Sequence, residues 1–369
     1  MPDWRDRSLL DLLAEHGLDM SPEHEFPNDG WSGATFTSLL DSYGRRYVLK
    51  RTSLARDWIA RATLDDGLRE GWMATVGSEE SGWMGMAGTP YLGAAADGDG
   101  VAILSPDLSN ELIAWERPGH DPTIDGETLR RVLHATARMH AVPWSRTAEA
   151  ATERADSRQP PWCPVPERLA LLGPSAAARY ADEGNPVGER FLAGWELFGR
   201  RATPEARDLI ERLSADPTPL VDALGRLPSV GLHGDMKLAN VAILPGGAVT
   251  FIDWQMTMRA PVAVEMGWFL VSNSASLPDE PETIMARYRD ALDWDSGRWG
   301  FGIEPHDFGG LVGDWDVQLD LTWIVGLLLR GWRKGLDAEA GITLPSGVTA
   351  ADDLAWWSKR AVEAADRRL

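Results

Sequence analysis

Positive charge is scarce in this chain: 36 Lys and Arg stand against 56 Asp and Glu, a formal net charge of -20. Sequence-independent binding to a nucleic-acid backbone needs clustered Lys and Arg to displace counterions, so nucleic acid is not an expected partner. Lysine itself occurs only as Lys50, Lys237, Lys334 and Lys359. Cysteine is rarer still. The single Cys163, within PPWCPVP, excludes an intrachain disulfide and any multi-cysteine metal site, and it fits a reducing compartment. Long apolar runs are also missing: the longest, Thr322 to Leu329, falls far short of the roughly 20 residues a membrane helix needs. The stretch MPDWRDRSLLDLL alternates charge with leucine and has no apolar signal core. The expected location is the cytoplasm, with no membrane partner.

What is present is an ordinary globular composition, 44% hydrophobic and 25% charged over 369 residues, enough for two lobes. No fixed-period repeat is visible, and the chain divides by texture at about Asp107. Before it, Tyr47 to Lys50 and Val101 to Leu104 read as strands, and Asp57 to Val76 carry helical spacing. After it, helices dominate. Leu129, Val132, Leu133, Thr136 and Met139 recur at the spacing of an amphipathic helix, with Asp125 as its N-cap. Ala141 to Pro186, rich in Pro, Ala and Arg, reads as a long connection with short helices. Val230 to Leu232 is a short strand, and Val241 to Leu244 with Val249 to Ile252 form a hairpin around Pro245, Gly246 and Gly247.

Two polar motifs bracket that hairpin. The first runs His233-Gly234-Asp235-Met236-Lys237-Leu238-Ala239-Asn240; the second is Ile252-Asp253-Trp254. The hairpin brings the Asn240 amide and the Asp253 carboxylate to one end. These are hard oxygen ligands of the kind Mg²⁺ takes while keeping water and phosphate oxygens elsewhere. Asp235 then faces an attacking hydroxyl instead of the metal.

H-G-D-M-K-L-A-N followed by I-D-W resembles the aminoglycoside phosphotransferase and choline kinase branch of the protein-kinase-like superfamily. Protein kinases use H-R-D-x-x-x-x-N and D-F-G with the same Asp-to-Asn offset, and Gly234 in place of Arg favours the small-molecule branch. The resemblance implies an α+β, bilobal, protein-kinase-like fold. Residues 1–107 would form a small nucleotide-binding lobe with an antiparallel sheet and one helix, and residues 108–369 a larger, mainly helical catalytic and acceptor-binding lobe. It implies Mg²⁺-dependent transfer of the γ-phosphate of ATP, or of GTP, to a hydroxyl of a small molecule such as an aminoglycoside, an amino sugar or another polyhydroxylated metabolite. The alternatives are a non-catalytic nucleotide-binding interaction module and a protein kinase; no A-P-E element follows Asp253.

By the same resemblance Asp235, Lys237 and His233 form the catalytic loop, with Asp235 as base and His233 more a brace than a proton carrier. Asn240 and Asp253 hold the metal. Lys50, in a strand, holds the α- and β-phosphates and pairs with Glu70, for which Asp65, Asp66 and Glu79 are nearby alternatives. Val48 shares the face of Lys50 by period-two alternation, where it covers the adenine. Ser32 and Gly33, in Asp29-Gly30-Trp31-Ser32-Gly33-Ala34-Thr35, are placed over the phosphates. Ser105, Asp107 or Leu108 supplies the hinge donor, because Pro106 has no N–H, and Ile252 completes the nucleotide set. Glu265 stands where the family usually has Asp, in the helix after the metal-binding Asp. For the acceptor, Asp316, Asp320 and Trp323 fall at i, i+4 and i+7 of an apolar helix, a stripe suited to a cation. Helix capping and core filling explain the same residues equally simply.

Overall fold

The computed structural model describes residues 3–19, 24–26, 31–77, 89–113, 123–141, 162–298 and 308–369. Five strands, β1 (His24–Phe26), β2 (Thr35–Leu40), β3 (Arg46–Ser53), β4 (Gly93–Asp97) and β5 (Gly100–Pro106), make one antiparallel sheet in the order β1-β2-β3-β5-β4. Strand β3 shows why this sheet can serve a site. Its alternation sends Tyr47 and Leu49 into an apolar cluster with Leu12, Leu13, Leu39 and Leu104, on the face covered by α1 (Leu9–Glu15). Val48 and Lys50 therefore project from the opposite face, towards the second lobe.

The helical segment expected over 57–76 is divided. α2 (Trp58–Ala62) and α3 (Arg69–Gly77) are separated by a turn in which Leu64 and Leu68 adopt φ of 53° and 51°. Neither residue is glycine or asparagine, so nothing local in the sequence marks the break. Asp65 occupies the turn and accepts from the Arg69 N–H at 2.8 Å. Burial pushes its carboxyl up to about 7, against the pull of Arg69. A carboxyl whose folded value lies above its ordinary 3.8 stabilises the fold fully below that value, and the contribution is lost as pH rises through about 7. Asp65→Asn is expected to flatten the fall of Tm between about pH 4 and pH 7, read by calorimetry across that range. An unchanged slope would contradict this.

The second lobe begins with α4 (Gly126–Ala141), capped by Asp125, which accepts from the Thr128 N–H at 2.7 Å. The described part of the long connection holds α5 (Val165–Ala170) and α6 (Pro174–Asp182), short helices as expected, while residues 142–161 lie outside the described residues. α7 (Pro186–Arg201), α8 (Pro204–Ala215) and α9 (Thr218–Leu224) follow. β6 (Val230–Leu232) pairs with β9 (Met258–Ala260), and β7 (Val241–Ile243) with β8 (Val249–Phe251). α10 (Val262–Ser272), α11 (Pro281–Arg298), α12 (Phe308–Val312), α13 (Trp315–Glu339) and α14 (Ala350–Arg368) complete the lobe. The 25-residue α13 is its axis, packed on α7, α10 and α14. Gly267 and Gly326 let α10 and α13 cross closely, since a Cβ on Gly267 would lie 2.9 Å from the Gly326 nitrogen. Among the described residues, no helix is long and apolar enough to cross a membrane.

Candidate active site

A cavity of about 500 Å³ lies between the lobes, lined by β3, β5, α3, the β6–β7 loop, the residues after β8, and parts of α5, α10 and α13. Lys50 crosses it. Its Nζ lies 2.6 Å from Glu70 Oε2 and 2.6 Å from Asp253 Oδ1, joining the two lobes through one ammonium group. Burial disfavours the Lys50 charge, but Asp253 and Glu70 outweigh it and raise the lysine above its ordinary value. Burial likewise opposes ionisation of Asp253, yet Lys50, and behind it Lys237, hold that carboxyl at about 2. Of the alternatives to Glu70, Asp65 faces Arg69, and Glu79 lies outside the described residues.

Tyr91 is a member of this cluster that the sequence did not disclose. Its hydroxyl donates to Glu70 Oε1 and accepts from the Asp253 N–H at 2.9 Å, so it fixes both partners of Lys50 at once. It precedes β4 in irregular chain, with no motif around it. Tyr91→Phe strips those buried groups of a partner and is expected to cost about 1–3 kcal/mol in urea unfolding. Unchanged stability would contradict that role.

Asp253 has φ 64° and ψ 57°, a left-handed conformation that Asp adopts more readily than most residues and that gathers at functional sites. The following turn is held from the small lobe. Arg69 Nη1 donates to Gln255 O at 3.0 Å, and Gln255 Nε2 to Asp57 Oδ2 at 2.6 Å. The hairpin ladder continues past Val241 and Phe251, with the Ile252 N–H donating to Asn240 O at 3.0 Å. That bond puts Asn240 beside Asp253. Asn240 Nδ2 donates to Asp235 O at 3.0 Å and Oδ2 at 3.1 Å, which turns its own Oδ1 away from Asp235. Among the described residues no cluster of three or more His, Cys, Asp or Glu could hold a metal. An amide and a carboxylate are the kind of sparse oxygen set from which Mg²⁺ is held together with substrate phosphates.

Asp235 is further held by Lys237 Nζ at 2.9 Å from Oδ2. His233 is fully buried and braces the loop, with Nε2 against Ile252 O at 2.9 Å and Nδ1 against the Asp235 N–H at 3.2 Å. Gly234 has φ 81°, and a Cβ there would fall 1.9 Å from Met256 O, so a side chain is excluded on conformation and space together. Glu265 accepts from the N–H groups of His233 at 2.6 Å, Gly234 at 3.1 Å and Met236 at 3.3 Å. The longer side chain thus clamps the loop.

Val48, Ser32, Ser105, Asp107, Leu108 and Ile252 all line the cavity. Gly33 is not among the lining residues; its φ of 82° and the Arg56 carbonyl, 2.7 Å from where a Cβ would stand, mark a tight backbone contact next to Ser32. Residues 27–30 of that turn lie outside the described residues. The hinge candidates separate by hydrogen bonding. The Asp107 N–H donates to Arg46 O at 3.1 Å, which by alternation makes Ser105 and Val48 a hydrogen-bonded pair. Leu108 is left as the candidate whose N–H is not taken by the sheet.

The acceptor stripe is also corrected. Asp314 caps α13, accepting from the Asp316 and Val317 N–H groups. Asp320 is held by Arg367 at 2.5 Å and Arg368 at 2.7 Å, and Trp323 packs on Trp356 and Trp357. Asp316, Asp320 and Trp323 border a different groove, of about 870 Å³, between α11, α13 and α14. Helical spacing identified a real stripe but not which end of it meets the cleft. The residue of α13 that lines the cleft is Arg330, two turns beyond Trp323.

The family model of the phosphotransferase enzymes, APH, matches residues 108–300, over half of the chain. The chain belongs to that family. No curated protein matches this phosphotransferase in sequence. Among solved structures it is similar to a candidate aminoglycoside phosphotransferase from Ralstonia eutropha JMP134, with 14% identity, 98% of each chain covered and a TM-score of 0.50. Others are a type I macrolide 2'-phosphotransferase, 17% identical over 98% of this chain and 97% of that one, TM-score 0.44, and an amicoumacin kinase in complex with AMP-PNP, Ca²⁺ and its ligand, 13% identical over 96% and 92%, TM-score 0.47. The phosphotransferase thus has the bilobal, protein-kinase-like α+β fold.

Proposed function

We propose that this phosphotransferase moves the γ-phosphate of ATP, with Mg²⁺, to a hydroxyl group of a small molecule bound beside Asp235. The observation that carries the reading is the Lys50 ammonium group, 2.6 Å from both Glu70 and Asp253. A buried lysine held between carboxylates of two lobes is positioned to take phosphate oxygens as they enter the cleft. Val48 and Ile252 cover the base, and the Leu108 N–H is its hinge donor. Asn240 Oδ1 and Asp253 fit Mg²⁺, which supplies neutralisation of phosphate charge when bound.

Asp235 orients the acceptor hydroxyl and takes its proton late, as the bond to the leaving phosphate oxygen loosens. Lys237, 2.9 Å from Asp235, is in this reading the residue that touches the transferred γ-phosphate. Most of the rate enhancement is positioning and preorganised charge.

The test is ADP release with MgATP across aminoglycosides, amino sugars, choline-like alcohols and hydroxy acids. The expected result is release that needs an acceptor and disappears with EDTA. Release that persists with EDTA, or no acceptor-dependent release across the panel, would contradict the proposal.

A further inference from the structure

The wall of the cleft beyond Asp235 carries the wrong charge for a cationic acceptor. Arg330, from α13, is 3% exposed and lines the cavity, yet among the described residues its Nε has no hydrogen-bond partner. It is held by aromatic faces, 4.9 Å from the ring centres of Trp268 and Trp332 and 5.9 Å from that of Trp31. Arg168, from α5, is 1% exposed and sits 4.3 Å from the Trp268 ring centre. Its Nε donates to Gly234 O at 3.0 Å while its Nη1 has no partner. Arg190, exposed at the rim, lies 5.9 Å from the centre of Trp31 and lines the same cavity.

A guanidinium offers five donors, and burying them without acceptors is costly unless a ligand completes them. Burial and the nearby Arg333 push Arg330 down to about 9, and Arg168 is lowered by burial as well. Asp235 is the one carboxylate acting on both that also lines the cleft. Planar guanidinium groups match carboxylate, sulfate or phosphate oxygens in two-point contacts. Trp31, which lies beside both Arg330 and Arg190, and Leu171 and Leu172 add apolar surface to the cavity lining.

We propose that the acceptor is an anionic hydroxylated small molecule, a hydroxy acid or its sulfate- or phosphate-bearing equivalent, whose acidic group is bound by Arg330 and Arg168, with Arg190 at the rim, while its hydroxyl meets Asp235. This rests on the phosphotransfer reading and narrows it. A polycationic sugar would instead meet two buried guanidinium groups.

The test is calorimetric titration of the full chain, saturated with AMP-PNP and Mg²⁺, with D-gluconate, D-glucuronate, D-glycerate and inorganic sulfate, against D-glucosamine and kanamycin. The acidic probes are expected to bind more tightly than the cationic ones. Arg330→Gln and the surface variant Arg190→Ala should each weaken them by about tenfold or more, as loss of a charged hydrogen bond implies, with AMP-PNP affinity unchanged. Tighter binding of the cationic probes, no binding of any acidic probe, or an equal loss of AMP-PNP affinity in both variants would overturn the assignment. Mass spectrometry of the same mixtures with MgATP separates the two claims. Phosphorylated glucosamine or kanamycin with unmodified acids overturns the anionic acceptor and leaves phosphotransfer standing. Arginine-dependent binding of acids with no phosphorylated product supports the anion site and removes the phosphotransfer reading.

Discussion

Asp235→Asn is expected to lower turnover by about 10²- to 10⁴-fold, the usual range for removing a general base, while nucleotide affinity stays nearly constant. The substitution is close to isosteric. Among the described residues the Asp235 carboxylate meets Lys237 and Asn240 and not Lys50 or Asp253, and Asn240 keeps its bond to the backbone oxygen of residue 235 in the variant. The phosphate-holding and metal-holding parts should therefore survive. The measurement is single-turnover transfer to an acceptor found by the ADP-release panel, with the Kd for AMP-PNP measured in parallel. A variant with wild-type turnover would remove Asp235 from the reaction, and one that loses nucleotide binding would place it on the phosphates instead.

The second large effect is expected at Glu265, which is fully buried and not among the residues lining the cleft. Its carboxylate accepts the buried backbone N–H groups of His233, Gly234 and Met236, and Glu265→Ala leaves all three without a partner. At about 1–3 kcal/mol for each unsatisfied group, the loss of unfolding free energy should reach about 3 kcal/mol or more. Turnover should fall with it even in the folded fraction, because the freed loop no longer fixes Asp235. Burial opposes the Glu265 charge, but His140 and His233 together with the loop amides keep its carboxyl below the ordinary value. His140 belongs to this support, packed between Glu265 and Tyr288. Urea unfolding and kcat at a temperature where the variant is folded check both parts. Unchanged stability would mean the loop finds other acceptors.

What was legible in the sequence is what is local. Strand β3 disclosed the Lys50 face because period-two alternation is a property of eight consecutive residues. The His233–Asn240 loop and Asp253 could be paired because one hairpin connects them, and Ile252 and Asn240 close it with a single backbone bond. Tyr91 was not legible, since its role exists only where an irregular segment meets Glu70 and the strained Asp253 turn. The split between α2 and α3 was hidden for a different reason: leucine carries the left-handed φ twice, against its preference, and the buried Asp65 and Arg69 hold the turn. The acceptor end misled because Asp316, Asp320 and Trp323 form a true amphipathic stripe, but C-terminal arginines and tryptophans of α14 neutralise and cover it. Arg168 and Arg330 converge from elements 162 positions apart, beyond the reach of any local pattern.

The most direct measurement is the fate of ATP labelled in its γ-phosphate when the chain is supplied with Mg²⁺ and a total small-molecule extract. Label is expected in a small organic molecule, with none on protein and little as inorganic phosphate. Label that appears on protein, or that stays in ATP whatever extract is added, would contradict this.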